Sequence, residues 1–322
     1  MRFTSRRFLG FFALLTLFLF LATAGAVNAT TRLSIATAGT AGTWYPLGGA
    51  WANLISKNIE GVQATAYPSG ASIENTRALL KKQTDMAFMM PDVTFWAYKG
   101  IAKFEKEKPF GALRSLMSLY PIDEIIVVPK ESPIKSLYDL KGKKVGLGAP
   151  GSGIEIMNKL ILAEYGITYD DIDPKFLSIA EQVQGLKDGN LDIGMFAVGT
   201  PAPGVMDLQT AREVRFINIE EDMMKKINSK YPYYVPRQIP ADIYKDQDSP
   251  IEVLSWMGVI NTTTHLDKEL VYNLLRAFWD NKSDIDNIHV KYKKITLDAA
   301  YKVPIPLHDG AVKFYKEKGV LK

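Results

Sequence analysis

The chain has 322 residues, 47% of them hydrophobic and 23% charged, which excludes a disordered chain and leaves room for two domains. Its formal charge is +4, from 39 basic and 35 acidic residues. No segment clusters Lys and Arg with interleaved aromatics, so nucleic acid is not an expected partner, and with no cysteine the core must supply stability without disulfides.

Residues 1–29 read as an export signal. Arg2, Arg6 and Arg7 form a positive start, Phe8 to Ala22 is apolar, and the small residues of "TAGAVNA" offer cleavage after Ala29. The apolar run, about 15 residues, is shorter than the roughly 20 needed to span a bilayer. "SRRFLG" also touches a twin-arginine signal, so the choice between general secretion and twin-arginine export stays open. Removing this segment leaves 36 basic against 35 acidic residues, a nearly neutral mature chain. The expected compartment is the periplasm. No N-terminal Cys is present for lipid anchoring, and a monomer is expected.

From residue 30 strand and helix patterns alternate, as in an α/β fold. "RLSIAT" reads as a strand, "YPLGGAWANLISKN" as a helix, "GVQATAY" as a strand, "ASIENTRALLKKQ" as a helix and "TDMAFMM" as a short strand. After "LRSLMSLYPIDEIIVVPK" the order restarts. "KKVGLG" is a strand, "IEIMNKLILAEYG" a helix, "PKFLSI" a strand, "AEQVQGLKDG" a helix and "LDIGMFAVG" a strand. The proline-rich stretch from 200 to 250 reads as less regular. "IEVLSWMGVI" then adds a strand, "KELVYNLLRAFWDN" an amphipathic helix and "GAVKFYKEKGV" a last short one. The economical topology has two lobes, residues 30–124 plus 256–322 and residues 125–255, with the chain crossing near 123–128 and returning near 252–260.

Each lobe offers one glycine loop between a strand and a helix, "TAGTAGTWYP" at 37–46 and "GLGAPGSG" at 146–153. Amides in such loops, with the helix dipole behind them, favour phosphate or carboxylate. Neither loop ends in the Gly-Lys-Ser/Thr of a nucleotide-hydrolysing P-loop. A dinucleotide site would need an acidic residue ending the next strand, and Asp170 and Asp171 precede that strand. No cofactor is expected. Two lobes facing each other would instead bring both loops to one ligand in a cleft.

The chain resembles the TAXI family of solute receptors, the extracytoplasmic components of tripartite ATP-independent periplasmic (TRAP) transporters. The resemblance runs through "TAGTAGTWYPLGGAWA", "YPSGASIENTRAL", "DLKGKKVGLGAPGSG", "LKDGNLDIGMFAVGTPAP" and "PLHDGAVKFYKEKG". It implies a two-lobed type II periplasmic-binding-protein fold with the ligand cleft between lobes. It also implies capture of a dicarboxylate or an amino acid, such as 2-oxoglutarate or glutamate, for an ion-driven permease. The chain departs from the family at Met90-Pro91-Asp92, where Gln-Ser-Asp is common, and at Ala38 and Ala41, where glycine is frequent.

Gly39, Thr40, Gly42, Thr43, Trp44 and Tyr45 are ligand-binding candidates in the first loop, although the threonines also suit helix capping. The resemblance places Ser69, Ser72 and Asn75 at the cleft, and Asp92 follows a strand end there; capping is the alternative for Ser72 and Asp92. The second lobe offers Ser152, Gly153, Gly199 and Thr200. Arg77, Arg114 and Arg237 could pair with a carboxylate but read as surface residues. His265, His289 and His308 lack metal-ligand spacing, so no metal site is expected. With no cysteine, and no serine in G-x-S-x-G, no catalytic residue is assigned and a non-enzymatic receptor is expected. The alternatives are an enzyme acting on a small anion on the same scaffold, and an exported sensor that binds without transport.

Overall fold

Two long strands tie the molecule together. The computed structural model describes residues 30–322, and the expected export signal lies outside the described residues. The first part of the chain forms β1 (Thr31–Ala36), α1 (Trp44–Asn58), β2 (Val62–Tyr67), α2 (Ser72–Leu80), β3 (Met86–Met89) and α3 (Pro91–Lys99). The 17-residue β4 (Leu113–Pro129) follows. A second series comprises β5 (Lys144–Gly146), α4 (Gly153–Glu164), β6 (Asp173–Lys175), α5 (Ile179–Lys187) and β7 (Ile193–Val198). Then come α6 (Pro203–Ala211), β8 (Val214–Ile217), α7 (Glu221–Lys230), β9 (Val235–Ile239), β10 (Ile251–Thr263), α8 (Lys268–Asp280) and, after shorter turns, α9 (Asp309–Glu317).

The sheet order is β2-β1-β3-β10-β4-β7-β5-β6, with β8 on β4 and β9 on β10. β1 and β3 are parallel, as are β5 with β6 and β5 with β7. β10 and β4 are antiparallel to one another and serve both lobes. The far end of β10 pairs with β3 (Val259↔Met89), while its near end pairs with β9 (Ser255↔Val235). The far end of β4 pairs with β7 (Asp123↔Val198). The register between β10 and β4 shifts between Met257 and Val259, beside Gly258. The expected boundaries at 124/125 and 255/256 fall inside these strands, where Ser255 faces Asp123.

Local chemistry explains the elements. Every residue of β3 is buried, as required of a strand covered on both faces. In α8 the buried Val271, Leu274, Leu275 and Phe278 recur at helical spacing, and the Asp267 side chain caps its start by accepting from the Leu270 N–H at 2.9 Å. α5 begins with a capping box formed by Ser178 and Glu181.

The stretch from 200 to 250 is more regular than its prolines suggest, holding α6, β8, α7 and β9. Pro203 occupies the first turn of α6, where its missing N–H costs nothing, and Pro236 lies in β9, which pairs only with β10.

Candidate solute site

The two glycine loops meet across a seam. The first runs from β1 into α1, and the Gly42 N–H donates to Gly39 O at 3.1 Å to close its turn. The second runs from β5 into α4; Gly148 and Gly151 take φ of 100° and 75°, a region suited to glycine. Between them lies a cavity of about 40 Å³. From the β1–β3 side Ala38, Gly42, Thr43, Trp44, Ala71, Ser72 and Met90 line it. From the other side come Gly153, Ile154, Ile179, Ala197 and Val198, and the crossing strands add Ile122 and Trp256. The volume is that of only a few water-sized groups.

Direct bonds hold the seam shut. The Gly199 N–H donates to Thr43 Oγ1 at 3.3 Å, and the Gly204 N–H to Ala41 O at 3.2 Å. The Tyr234 hydroxyl donates to the Asp92 carboxylate, and His289 Nε2 lies 2.9 Å from Pro201 O. Gly153 sits so tightly against Met90 and Ser72 that a Cβ there would overlap the Met90 sulfur.

No lysine, arginine or carboxylate is among the residues lining the cavity. The rings of Trp44 and Trp256 line it, and their indole N–H groups are buried without a protein acceptor. Buried donors of this kind are costly unless a ligand or water accepts from them. The two rings give the wall apolar area beside the hydroxyl-bearing Thr43 and Ser72.

The acids lie one layer out. Burial pushes the Asp92 carboxyl up to about 6, although the Tyr234 hydroxyl and the Val93 N–H favour its ionised form. Burial also raises Glu124 far above the usual carboxylate range. Its neighbour Asp123 behaves differently: burial acts against its charge, but Lys291, 2.9 Å away, and Arg237 more than reverse this and hold the carboxyl below its usual range.

Of the candidates read from the sequence, Gly42, Thr43, Trp44, Ser72 and Gly153 line the cavity. The hydroxyls among them serve the protein as well. Thr43 Oγ1 accepts from Tyr120 at 2.8 Å, and Ser72 Oγ accepts from the Met90 N–H at 3.0 Å. Ser72 is not the cap of α2; Ala71 holds that place at φ 68°. Ser152 caps α4, accepting from the Glu155 N–H at 3.1 Å. Gly199 offers its amide to Thr43, and Thr200 is buried beside it. Asn75 is also buried, donating to Thr37 O at 2.8 Å and Phe88 O at 2.7 Å, so it fastens the ends of β1 and β3. Ser69 donates to Thr37 O at 3.2 Å. Asp92 stands behind Pro91 at the start of α3, while Gly39, Thr40 and Tyr45 are outside the cavity lining, Thr40 being exposed.

Sequence reasoning missed Ala38, Ala71, Met90, Ile122, Ile154, Ile179, Ala197, Val198 and Trp256. Ile122, Ala197, Val198 and Trp256 lie in strands, and apolar residues in a strand buried on both faces give no signal of which face meets a cavity; Ile154 and Ile179 are apolar positions in the first turns of α4 and α5. Among the described residues no group of three or more His, Asp or Glu could hold a metal ion, and no helix is long and apolar enough to cross a membrane.

Two lobes joined by shared antiparallel strands, with the glycine loops at the carboxyl ends of the parallel strands, define a two-lobed α/β fold. The chain belongs to the NMT1-like family, whose profile matches residues 35–319. A stretch of 72 residues is 35% identical to an aliphatic sulfonates-binding protein of Escherichia coli (strain K12). That match covers 22% of this chain and 22% of the relative, so it spans about a fifth of the relative's length. A solved structure from Bordetella bronchiseptica RB50 aligns over 91% of this chain and 90% of its own, at 18% identity and a TM-score of 0.53. The alkanesulfonate-binding protein SsuA from Xanthomonas axonopodis pv. citri, bound to MOPS, aligns over 91% of this chain and 94% of its own, at 14% identity and a TM-score of 0.49.

Proposed function

We propose that this chain is a non-catalytic periplasmic solute receptor that encloses a small organic acid or amino acid between its lobes and presents it to a membrane transporter. The observation that carries this reading is the shut seam around a small, mostly apolar cavity where the two glycine loops meet. Closure would be driven by the tighter binding of solute to the closed form. The absence of any charged side chain from the lining favours a solute with one compact anionic group over a dicarboxylate, whose second carboxylate would need a further set of donors. The local identity to a sulfonate-binding relative supports the same preference. For the transporter, the ordered motifs shared with the TAXI family favour a TRAP-type secondary permease; the sulfonate-binding likeness makes an ATP-driven importer the second reading.

The test is a thermal-unfolding screen of the purified protein against alkanesulfonates, monocarboxylates, dicarboxylates, 2-oxo acids, amino acids and sugars. A solute at about a hundred times its dissociation constant should stabilise by about 2.7 kcal/mol and raise the midpoint by several degrees. Recovery of that solute unchanged supports the receptor. Its conversion to product supports the enzyme alternative. No shift, together with no small molecule released on denaturation, would sink the proposal.

A further inference from the structure

Asp123 and Glu124 are adjacent acids on β4, both fully buried, yet only one has counter-charges. Asp123 faces Lys291, Arg237 and the Ser255 hydroxyl. Glu124 points to the opposite face, which it shares with the cavity-lining Ile122, and it pairs across the sheet with Ala197, another lining residue. Neither of its carboxyl oxygens has a donor within the protein. The side chain acting on it is Asn158 of α4, whose Nδ2 already donates to Leu147 O at 3.2 Å and Met195 O at 3.4 Å. The Asn158 Oδ1 is buried without a donor. A proton on Glu124 gives the carboxyl a hydrogen to donate and offers Asn158 the donor that it lacks.

Asp92 is the second fully buried acid without a counter-charge. Its bridge is the hydroxyl of Tyr234, which lies between α7 and β9 on the opposite side of the seam. Tyr234 is buried and close enough to feel the charge of both Asp92 and Glu124. The titratable groups facing this cluster are Tyr233 and Tyr234; no lysine, arginine or histidine acts on either carboxyl.

We infer that closure of the two lobes is coupled to proton uptake by the Asp92, Tyr234 and Glu124 cluster, so that falling pH favours the closed receptor. This rests on the receptor reading only in requiring that the lobes open. Opening would part Asp92 from Tyr234 and let water reach the cluster, where the carboxyls regain ordinary values and ionise. A carboxyl whose value is higher in the closed state opposes closure above that value and ceases to do so below its ordinary value. For Asp92 the window runs from about 6 down to 3.8. Across it the closed-to-open ratio should rise about a hundredfold from this residue alone. Glu124 adds to the change from 4.5 upward. His289 acts in the opposite direction: burial lowers its value, and the closed form uses its neutral ring to accept from the Lys291 N–H while its other nitrogen meets Pro201 O.

The test needs no solute. Small-angle scattering and hydrogen exchange at the amides around Asp92 and Tyr234 are followed from pH 8 to pH 4.5 in the wild type, D92N, E124Q, the double variant and Y234F. The wild type should become more compact and more protected as pH falls. D92N and E124Q should each flatten the response, and the double variant should stay compact throughout. Y234F, which removes the donor that favours ionised Asp92, should shift the transition to higher pH. Compactness independent of pH in the wild type overturns the inference. So does a closing response of undiminished size in the double variant, which would assign it elsewhere. Failure to find a solute would not alter these outcomes, so the two proposals fail separately.

Discussion

Gly153 shows how much one atom decides at this site. Its missing side chain lets the start of α4 lie against Met90 and Ser72, and a methyl group would meet the Met90 sulfur and lie 3.2 Å from Ser72 Oγ. Overpacking of this kind costs about 1–3 kcal/mol, and here the strain is relieved when the lobes part. G153A should therefore shift the protein towards an open form, read as a larger radius of gyration at pH 5, and adding M90A should restore compactness. Unchanged scattering in G153A would mean that Met90 yields without opening the seam. The sequence marks Gly153 as a ligand-binding candidate at the end of a glycine loop, and says nothing of what packs against it. Its contact with Met90, more than sixty residues earlier, requires the fold.

At the scale of elements, the receptor depends on helices pinned to a shared sheet. α1, which carries Trp44 to the cavity, is held from behind by α8. The Trp51 ring meets Phe278 edge to face with centroids 5.4 Å apart, and its Nε1 donates to Leu274 O at 3.2 Å. Replacing Phe278 by alanine should cost about 3–5 kcal/mol in urea unfolding. A loss below 1 kcal/mol would show that the contact is dispensable. α8 was legible in the sequence because its apolar residues repeat at helical spacing. Its partner was not, because Trp51 and Phe278 lie far apart in the chain and helical periodicity gives a face without saying what covers it. The segment from 200 to 250 shows the converse: its prolines read as breakers, but Pro203 starts a helix and Pro236 lies on an edge strand.

For the whole molecule, the decisive place is where β4 and β10 pass between lobes. There Asp123 joins β4 to Ser255 on β10, Arg237 on β9 and Lys291 in the C-terminal region. K291M should destabilise the protein by about 3–5 kcal/mol at pH 7, since it leaves a buried carboxylate with a single half-exposed cation. Asp123 is held below its ordinary 3.8 in the fold, so its stabilisation is present above that pH and lost as pH falls through the lower folded value. The deficit of K291M should therefore shrink below about pH 4 in urea titrations. A deficit as large at pH 3 as at pH 7 would point to lost packing by the lysine stem instead.

The α/β alternation, most of the elements and the two glycine loops are legible in the amino-acid order, because these depend on neighbours a few residues apart. That order also brought Gly42, Thr43, Trp44, Ser72 and Gly153 into view, since loops at strand ends are where such folds present amides and hydroxyls. It takes the folded chain to show that Asn75 fastens two strands, that Trp256 meets the same cavity as Trp44, and that Asp123 has cations while Glu124 has none. Those distinctions turn on which face of a buried strand a residue occupies and what arrives there from distant parts of the chain. Local periodicity carries no record of either.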